Sequence, residues 1–185
     1  MKIRAFIALE IPDEAISQIL EIRDGILGEL EDVNWEGREK LHLTLKFLGD
    51  INSDMIGRFS KALEKIAENN KSLKLSFSEF GVFKRRNELK ILWIGLKENT
   101  ALTRLVDEIE LSFADFGFRK EEREFKSHIT LLRFRGYEDA EKIVSLTEVN
   151  LPEIDFTAGK IILYESMLTP SGSVYRSLKK LYLKN

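Results

Sequence analysis

Apolar residues alternate with polar ones in some stretches of this chain and recur every three to four residues in others. The two periods predict where strands and helices lie. Lys2 to Leu9, rich in Ile, Phe and Ala, predicts a first strand. Pro12-Asp13 opens a helical pattern through Ala15, Ile16, Ile19, Leu20, Ile22, Ile26, Leu27 and Leu30. Leu41 to Leu48 predicts a strand ended by Gly49-Asp50, and Asn52-Ser53-Asp54 a cap for a helix carrying Met55, Ile56, Phe59, Leu63 and Ile66. Leu73, Leu75 and Phe77 alternate with Lys74, Ser76 and Ser78 as in a half-buried strand, and Phe80-Gly81-Val82-Phe83 follows. Lys84-Arg85-Arg86-Asn87 is a charged turn before a strand from Leu89 to Leu96. Asn99 caps a third helix through Leu102, Leu105, Val106, Ile109 and Phe113, which Gly117 stops. A strand from Phe125 to Phe134 and a short helix from Tyr137 to Leu146 come next. Two last strands, Ile154 to Leu163 and Val174 to Leu183, are joined through Thr169-Pro170-Ser171-Gly172.

The order strand, long helix, strand, helix, strand occurs twice. That repetition predicts a pseudo-symmetric, bilobal α+β fold, with antiparallel sheets flanked by helices around a central cleft. No long linker or low-complexity tract divides the 185 residues, so a single domain over 1–185 is expected.

Composition narrows the classes. Net charge is −2, from 29 Lys and Arg against 31 Asp and Glu, which argues against a protein that coats nucleic acid through bulk charge. It leaves room for a site that grips one or two phosphates. The absence of cysteine excludes disulfides, thiolate zinc sites and Cys nucleophiles. The apolar run at the N-terminus is too short for a signal peptide and Glu10 and Asp13 interrupt it, so the cytoplasm is the expected location and no membrane partner is expected.

The chain has only two histidines, and both stand in the same frame: His42-Leu43-Thr44-Leu45 and His128-Ile129-Thr130-Leu131. On a strand, positions i and i+2 share a face. Each frame would present an imidazole beside a hydroxyl, with the aliphatic residue between them pointing into the core. Two imidazoles that titrate near neutrality can serve one substrate as general acid and general base.

Other chemistries fit less well. A zinc site would want closely spaced ligands, whereas Thr stands two residues after each His, and Thr is a better partner for a phosphate oxygen than for a metal. There is no Gly-x-Ser-x-Gly elbow for a Ser-His-Asp triad, and no phosphate-binding glycine loop for a nucleotide cofactor. Neither a metal nor a cofactor is therefore expected. Arg133, five residues after His128, could hold a phosphate through paired N–H bonds, but its odd offset points it away unless the strand twists or bulges. Arg4 sits on the first strand, where an inward charge would need a partner. The Lys84–Arg86 run reads as a charged turn that could help steer a strand toward the cleft. Trp35, Phe80, Phe83, Trp93 and Tyr137 are expected mostly in the core, with one or two free to stack a base.

These residues resemble a known family. The paired His-x-Thr-x frames resemble the two-histidine (2H) phosphoesterases, and the whole chain looks like their RNA 2′,3′-cyclic phosphodiesterase, or 2′-5′ RNA ligase-like, branch. Arg4 to Leu9, Leu41 to Gly49, Phe80 to Phe83, Leu92 to Gly95, His128 to Arg133 and Leu163 to Ser166 carry the resemblance. Ser127 departs from it where Pro commonly precedes the second His, and Leu132 where a small residue often precedes the Arg. The resemblance implies metal-independent opening of a terminal 2′,3′-cyclic phosphate to a 2′-phosphate. It assigns His42 as proton donor and His128 as proton acceptor, with Thr44, Thr130 and Arg133 on the phosphate; the residues themselves do not distinguish the two histidines. The partners it implies are RNA ends with 2′,3′-cyclic phosphates, tRNA fragments and nucleotides among the candidates, acted on by a monomer. The same site run in reverse would be a 2′-5′ RNA ligase. A 2′-5′ oligonucleotide phosphodiesterase and a non-catalytic RNA-end or nucleotide-binding module are further alternatives.

Overall fold

The computed structural model describes residues 1–28, 30, 33–170 and 172–185. Strand β1 (Lys2–Glu10) leads through helix α1 (Asp13–Leu27) to β2 (His42–Asn52), and α2 (Ile56–Asn69) crosses to β3 (Leu73–Arg85) and β4 (Glu88–Leu96). Helix α3 (Thr100–Ala114) precedes β5 (His128–Arg133), and the short α4 (Ala140–Val144) precedes β6 (Asp155–Ala158), β7 (Lys160–Thr169) and β8 (Gly172–Tyr182).

The strands form two four-stranded antiparallel sheets, ordered β2-β1-β7-β8 and β5-β4-β3-β6. Each His frame thus lies on an edge strand of its own sheet, and the units β1-α1-β2 and β4-α3-β5 correspond. The fold is the two-lobed α+β arrangement that the repeated element order predicts. One continuous cluster of buried apolar residues includes Leu43, Phe59, Leu92, Ile109 and Ile129, and so draws on both lobes. No helix among the described residues is long and apolar enough to cross a membrane.

Several boundaries differ from the sequence reading, each for a physical reason. Helix α1 stops at Leu27 because Gly28 takes φ +64° and its N–H donates to the Asp24 carbonyl at 2.8 Å, leaving Leu30 outside the helix. Gly49 does not end β2. It adopts φ +66° at a bulge beside Leu48, and the strand continues to Asn52. Asn52 and Ser53 provide no side-chain cap, and a 3₁₀ turn from Ser53 to Met55 enters α2 instead. Asn99 does cap α3, accepting from the Leu102 N–H at 3.0 Å.

The second His strand is confined to His128–Arg133, and α4 starts at Ala140, where the Asp139 carboxylate caps it. Tyr137, expected in the core, is 58% exposed. The run Ile154 to Leu163 is not one strand. It divides at Gly159, with β6 in the second sheet and β7 in the first. A Cβ on Gly159 would come within 2.8 Å of the Ser72 hydroxyl, so a larger residue at this crossing between the lobes would displace that side chain. β8 starts at Gly172, two residues earlier than predicted, and Ser171 of the predicted joint lies outside the described residues.

Candidate active site

The two His frames fold as their alternation demands. Leu43 and Ile129 are buried, while His42, Thr44, His128 and Thr130 are half-buried on the opposite faces of their strands. β2 and β5 are neighbours in space, and the field at His42 includes Arg133 and His128 of the other lobe. Among the described residues neither threonine hydroxyl is engaged in a hydrogen bond, so both are available to a ligand oxygen.

Each histidine is oriented by the residue two places before it. His128 Nδ1 lies 2.7 Å from the Lys126 carbonyl oxygen, and His42 is hydrogen-bonded to the Lys40 backbone. A carbonyl can only accept, so the proton of neutral His128 sits on Nδ1 and Nε2 keeps its lone pair.

A matched irregularity follows each frame. The register of β2 on β1 slips between Thr44 and Lys46, and that of β5 on β4 slips between Thr130 and Leu132. In each case one extra residue, Leu45 or Leu131, is accommodated, and the following residue is buried as well. The slip reverses the alternation, so the fifth residue after each His returns to the face that carries the histidine. That residue is Phe47 in one lobe and Arg133 in the other. The odd offset of Arg133 therefore does not remove it from the site.

Arg133 is held from the loop before β2. Trp35 bridges to Leu132, and the Glu36 N–H donates to the Leu131 carbonyl at 2.9 Å. The Glu36 carboxylate then accepts from Arg133 Nε at 3.1 Å. The Arg133 side chain is also within hydrogen-bonding reach of the Tyr175 hydroxyl on β8.

Aromatic rings wall both histidines. Phe6 stacks on His42 with centroids 5.0 Å apart, and Tyr175 meets the same ring edge-on at 5.4 Å. Tyr164 stacks on Phe6 at 5.2 Å, and Phe47, 74% exposed, lies 6.2 Å from it. In the other lobe Phe83 meets His128 edge-on at 4.8 Å, and Trp93 lies beyond at 6.3 Å. Trp93 covers Gly81, where a Cβ would stand 2.2 Å from the indole, and Lys126 Nζ sits 4.3 Å from its ring centroid. Of the aromatics singled out from sequence, Phe83 and Trp93 belong here. Phe80 is buried in the core, and Trp35 lies half-buried beneath Arg23. Phe6, Phe47, Tyr164 and Tyr175 were not singled out for the site.

Burial is the main cause that depresses both imidazole pKa values. His42 is lowered to about 4, with the Lys40 backbone bond opposing and Arg133 and His128 adding to the depression. His128 is lowered by burial, and Lys126 and Arg133 add to it against the Lys126 carbonyl bond. An anion entering between them would reverse the charge effects and favour protonation. Among the described residues no three His, Asp or Glu side chains are grouped as a metal's ligand set. Arg4 points outward, opposite Asp50 across β1 and β2.

Two half-buried imidazoles, two hydroxyls with no hydrogen bond among the described residues and the Arg133 guanidinium thus lie on the neighbouring strands β2 and β5. The sequence pattern of the family described as LigT like phosphoesterase matches this chain twice, over residues 9–93 and 94–175. Each match contains one His frame. The chain is 30% identical over 176 residues to the RNA 2′,3′-cyclic phosphodiesterase of Thermotoga maritima, covering 95% of this chain and 92% of that one. It is 28% identical over 180 residues to the protein of the same name from Methanocaldococcus jannaschii, covering 96% and 99%. The crystal structure of TT0787 of Thermus thermophilus superposes with a TM-score of 0.80 at 20% identity, over 98% of both chains. That of E. coli LigT complexed with 3′-AMP superposes with a TM-score of 0.77 at 24% identity, over the whole of both.

Proposed function

This chain belongs to the LigT like phosphoesterase family, and on that footing we propose that it is a metal-independent RNA 2′,3′-cyclic phosphodiesterase, its residues 1–185 acting as one two-lobed monomeric domain. The observation that carries the reading is the pair of half-buried imidazoles, each oriented by the backbone two residues earlier and each beside an unengaged threonine hydroxyl.

The cyclic phosphate lies between the frames, with Thr44 and Thr130 donating to its non-bridging oxygens and Arg133 balancing its charge. His128 takes a proton from water as the water oxygen attacks phosphorus. The bond from phosphorus to the 3′ oxygen breaks, and His42 protonates that oxygen. The product keeps its phosphate on the 2′ oxygen. The division of roles between His42 and His128 follows the family resemblance.

The free site is tuned for neutral imidazoles, and the bound phosphate supplies the negative charge that lets His42 hold its proton. Metal independence is argued from the sufficiency of these groups: positioning and a proton relay address a strained cyclic ester.

The test is incubation with an RNA ending in a 2′,3′-cyclic phosphate, in the presence of a chelator, with the product isomer assigned by NMR. A 2′-phosphate is expected. A 3′-phosphate would contradict the role of His42, and loss of activity on chelation would contradict metal independence.

A further inference from the structure

The hairpin between β3 and β4 is the most concentrated block of positive charge in a chain whose overall balance is slightly negative. Lys84, Arg85, Arg86 and Lys90 fall within seven positions, and Glu88, the one carboxylate among them, is taken by Lys90 at 2.6 Å. Among the described residues Arg85 and Arg86 form no ion pair, and both are exposed.

The hairpin continues outward from the residues packed against His128. Gly81 lies under Trp93, Phe83 touches both Trp93 and His128, and Val82 between them packs toward the core. With a period of two, Arg85 continues the face of Gly81 and Phe83. It stands two residues beyond the ring that contacts His128, about 7 Å along the strand. Lys84 takes the other face, lining a depression with Glu141 and Glu148 on the α4 side. Arg133 pairs with Ile91 on the adjoining strands, and the exposed Arg135, also without an ion pair among the described residues, follows it.

The tip residues add a separate argument. Arg86 and Asn87 have φ of +52° and +64°, the left-handed pair of a two-residue hairpin turn. Asn and Gly tolerate that conformation, whereas Arg at its first position is strained. A cation occupies a backbone position that favours other residues.

We propose that this hairpin, through Arg85 and Arg86, is a docking track for the phosphodiester backbone of a single-stranded RNA whose terminal phosphate lies between His42 and His128. The proposal rests on the phosphodiesterase reading and extends it to the nucleotides upstream of the reacting one. A free nucleotide cyclic phosphate has no such backbone and uses only the cleft.

The test compares the wild type with R85E/R86E in two measurements. The first is binding of a single-stranded RNA decamer ending in a 2′-phosphate, followed by fluorescence anisotropy over a salt series. The second is turnover of a decamer ending in a 2′,3′-cyclic phosphate against turnover of a mononucleoside 2′,3′-cyclic phosphate. The variant is expected to bind the decamer at least tenfold more weakly, with a salt slope smaller by about 1.4 for two lost phosphate contacts. Its KM for the decamer rises while mononucleotide turnover changes less than twofold. Unchanged decamer affinity, or an equal loss on both substrates, would overturn the track. If the wild type turns over neither substrate, the phosphodiesterase reading fails, and the binding series still decides whether the hairpin holds RNA.

Discussion

Arg133 Nε donates to the Glu36 carboxylate at 3.1 Å, and this contact fixes a guanidinium from one lobe beside the Tyr175 hydroxyl of the other. The bulge at Leu131 turns Arg133 inward, and the bridge from Trp35 to Leu132 brings Glu36 to meet it. Glu36 tethers Arg133 without shielding it, since the Arg133 side chain remains 55% exposed.

Arg133→Ala should therefore weaken phosphate binding and change the titration of both histidines. Its positive charge lowers His42 and His128, so its removal should raise both pKa values, read from imidazole NMR shifts. Loss of a charge-assisted bond of about 1.5–3 kcal/mol predicts a fall of roughly 10- to 100-fold in kcat/KM. Arg133→Lys should recover the titration but only part of the activity, because a point charge does not replace a planar fork. Unmoved histidine titrations in Arg133→Ala would place this residue outside the site.

The symmetry of the frames predicts matched losses. His42→Ala and His128→Ala should each lower kcat by about 10²–10⁴, and Thr44→Val and Thr130→Val should each lower it by a smaller factor of about 10–10³. All four side chains are half-buried, opposite the core-facing residues of their strands, so urea midpoints should move little. Retained turnover in either histidine variant would refute the two-histidine mechanism.

The shared face of His42 with Thr44 and of His128 with Thr130 was legible in the chain, because a period of two is a local property. Arg133 was not legible in the same way. Its face depends on a register slip against β4, which appears only when two strands separated by α3 are paired. Phe6, Tyr164 and Tyr175 come from three strands, and Phe6 alternates among residues that look equally apolar. The place of Gly159 was not visible either, since its close approach is to Ser72, far away in sequence. The units β1-α1-β2 and β4-α3-β5, by contrast, were legible because each is local, whereas the division of the 154–163 run between two sheets was not.

The depression of both imidazoles sets the sign of two pH dependences. In the free protein both histidines titrate below 6.5, His42 near 4. The reactive form needs one proton on the pair, so kcat/KM should peak below pH 6.5 and fall toward pH 8. An optimum above pH 8 would contradict this. Stability should move the opposite way. Between pH 6.5 and about 4 the unfolded chain protonates His42 and the folded one does not, so acidification through this window costs stability. The contribution is up to about 3 kcal/mol at its low end. His42→Asn, which lacks the titrating group, should lose correspondingly less than the wild type between pH 7 and pH 4 in urea unfolding.

Lys46 Nζ lies 2.6 Å from Glu110 Oε2 with both side chains buried, joining β2 of the first lobe to α3 beside the second. The same Nζ donates to the Arg119 carbonyl at 3.2 Å, and Glu110 also accepts from the Glu121 N–H at 3.3 Å. The pair thus secures the start of the segment that leads to His128. Lys46→Met leaves a carboxylate buried without its cation and should cost about 3–5 kcal/mol in urea unfolding. Lys46→Met combined with Glu110→Gln removes both charges and retains an acceptor for Glu121, so it should recover most of that loss. If the double variant is no more stable than Lys46→Met, the cost lies in lost packing around the lysine stem rather than in an uncompensated charge.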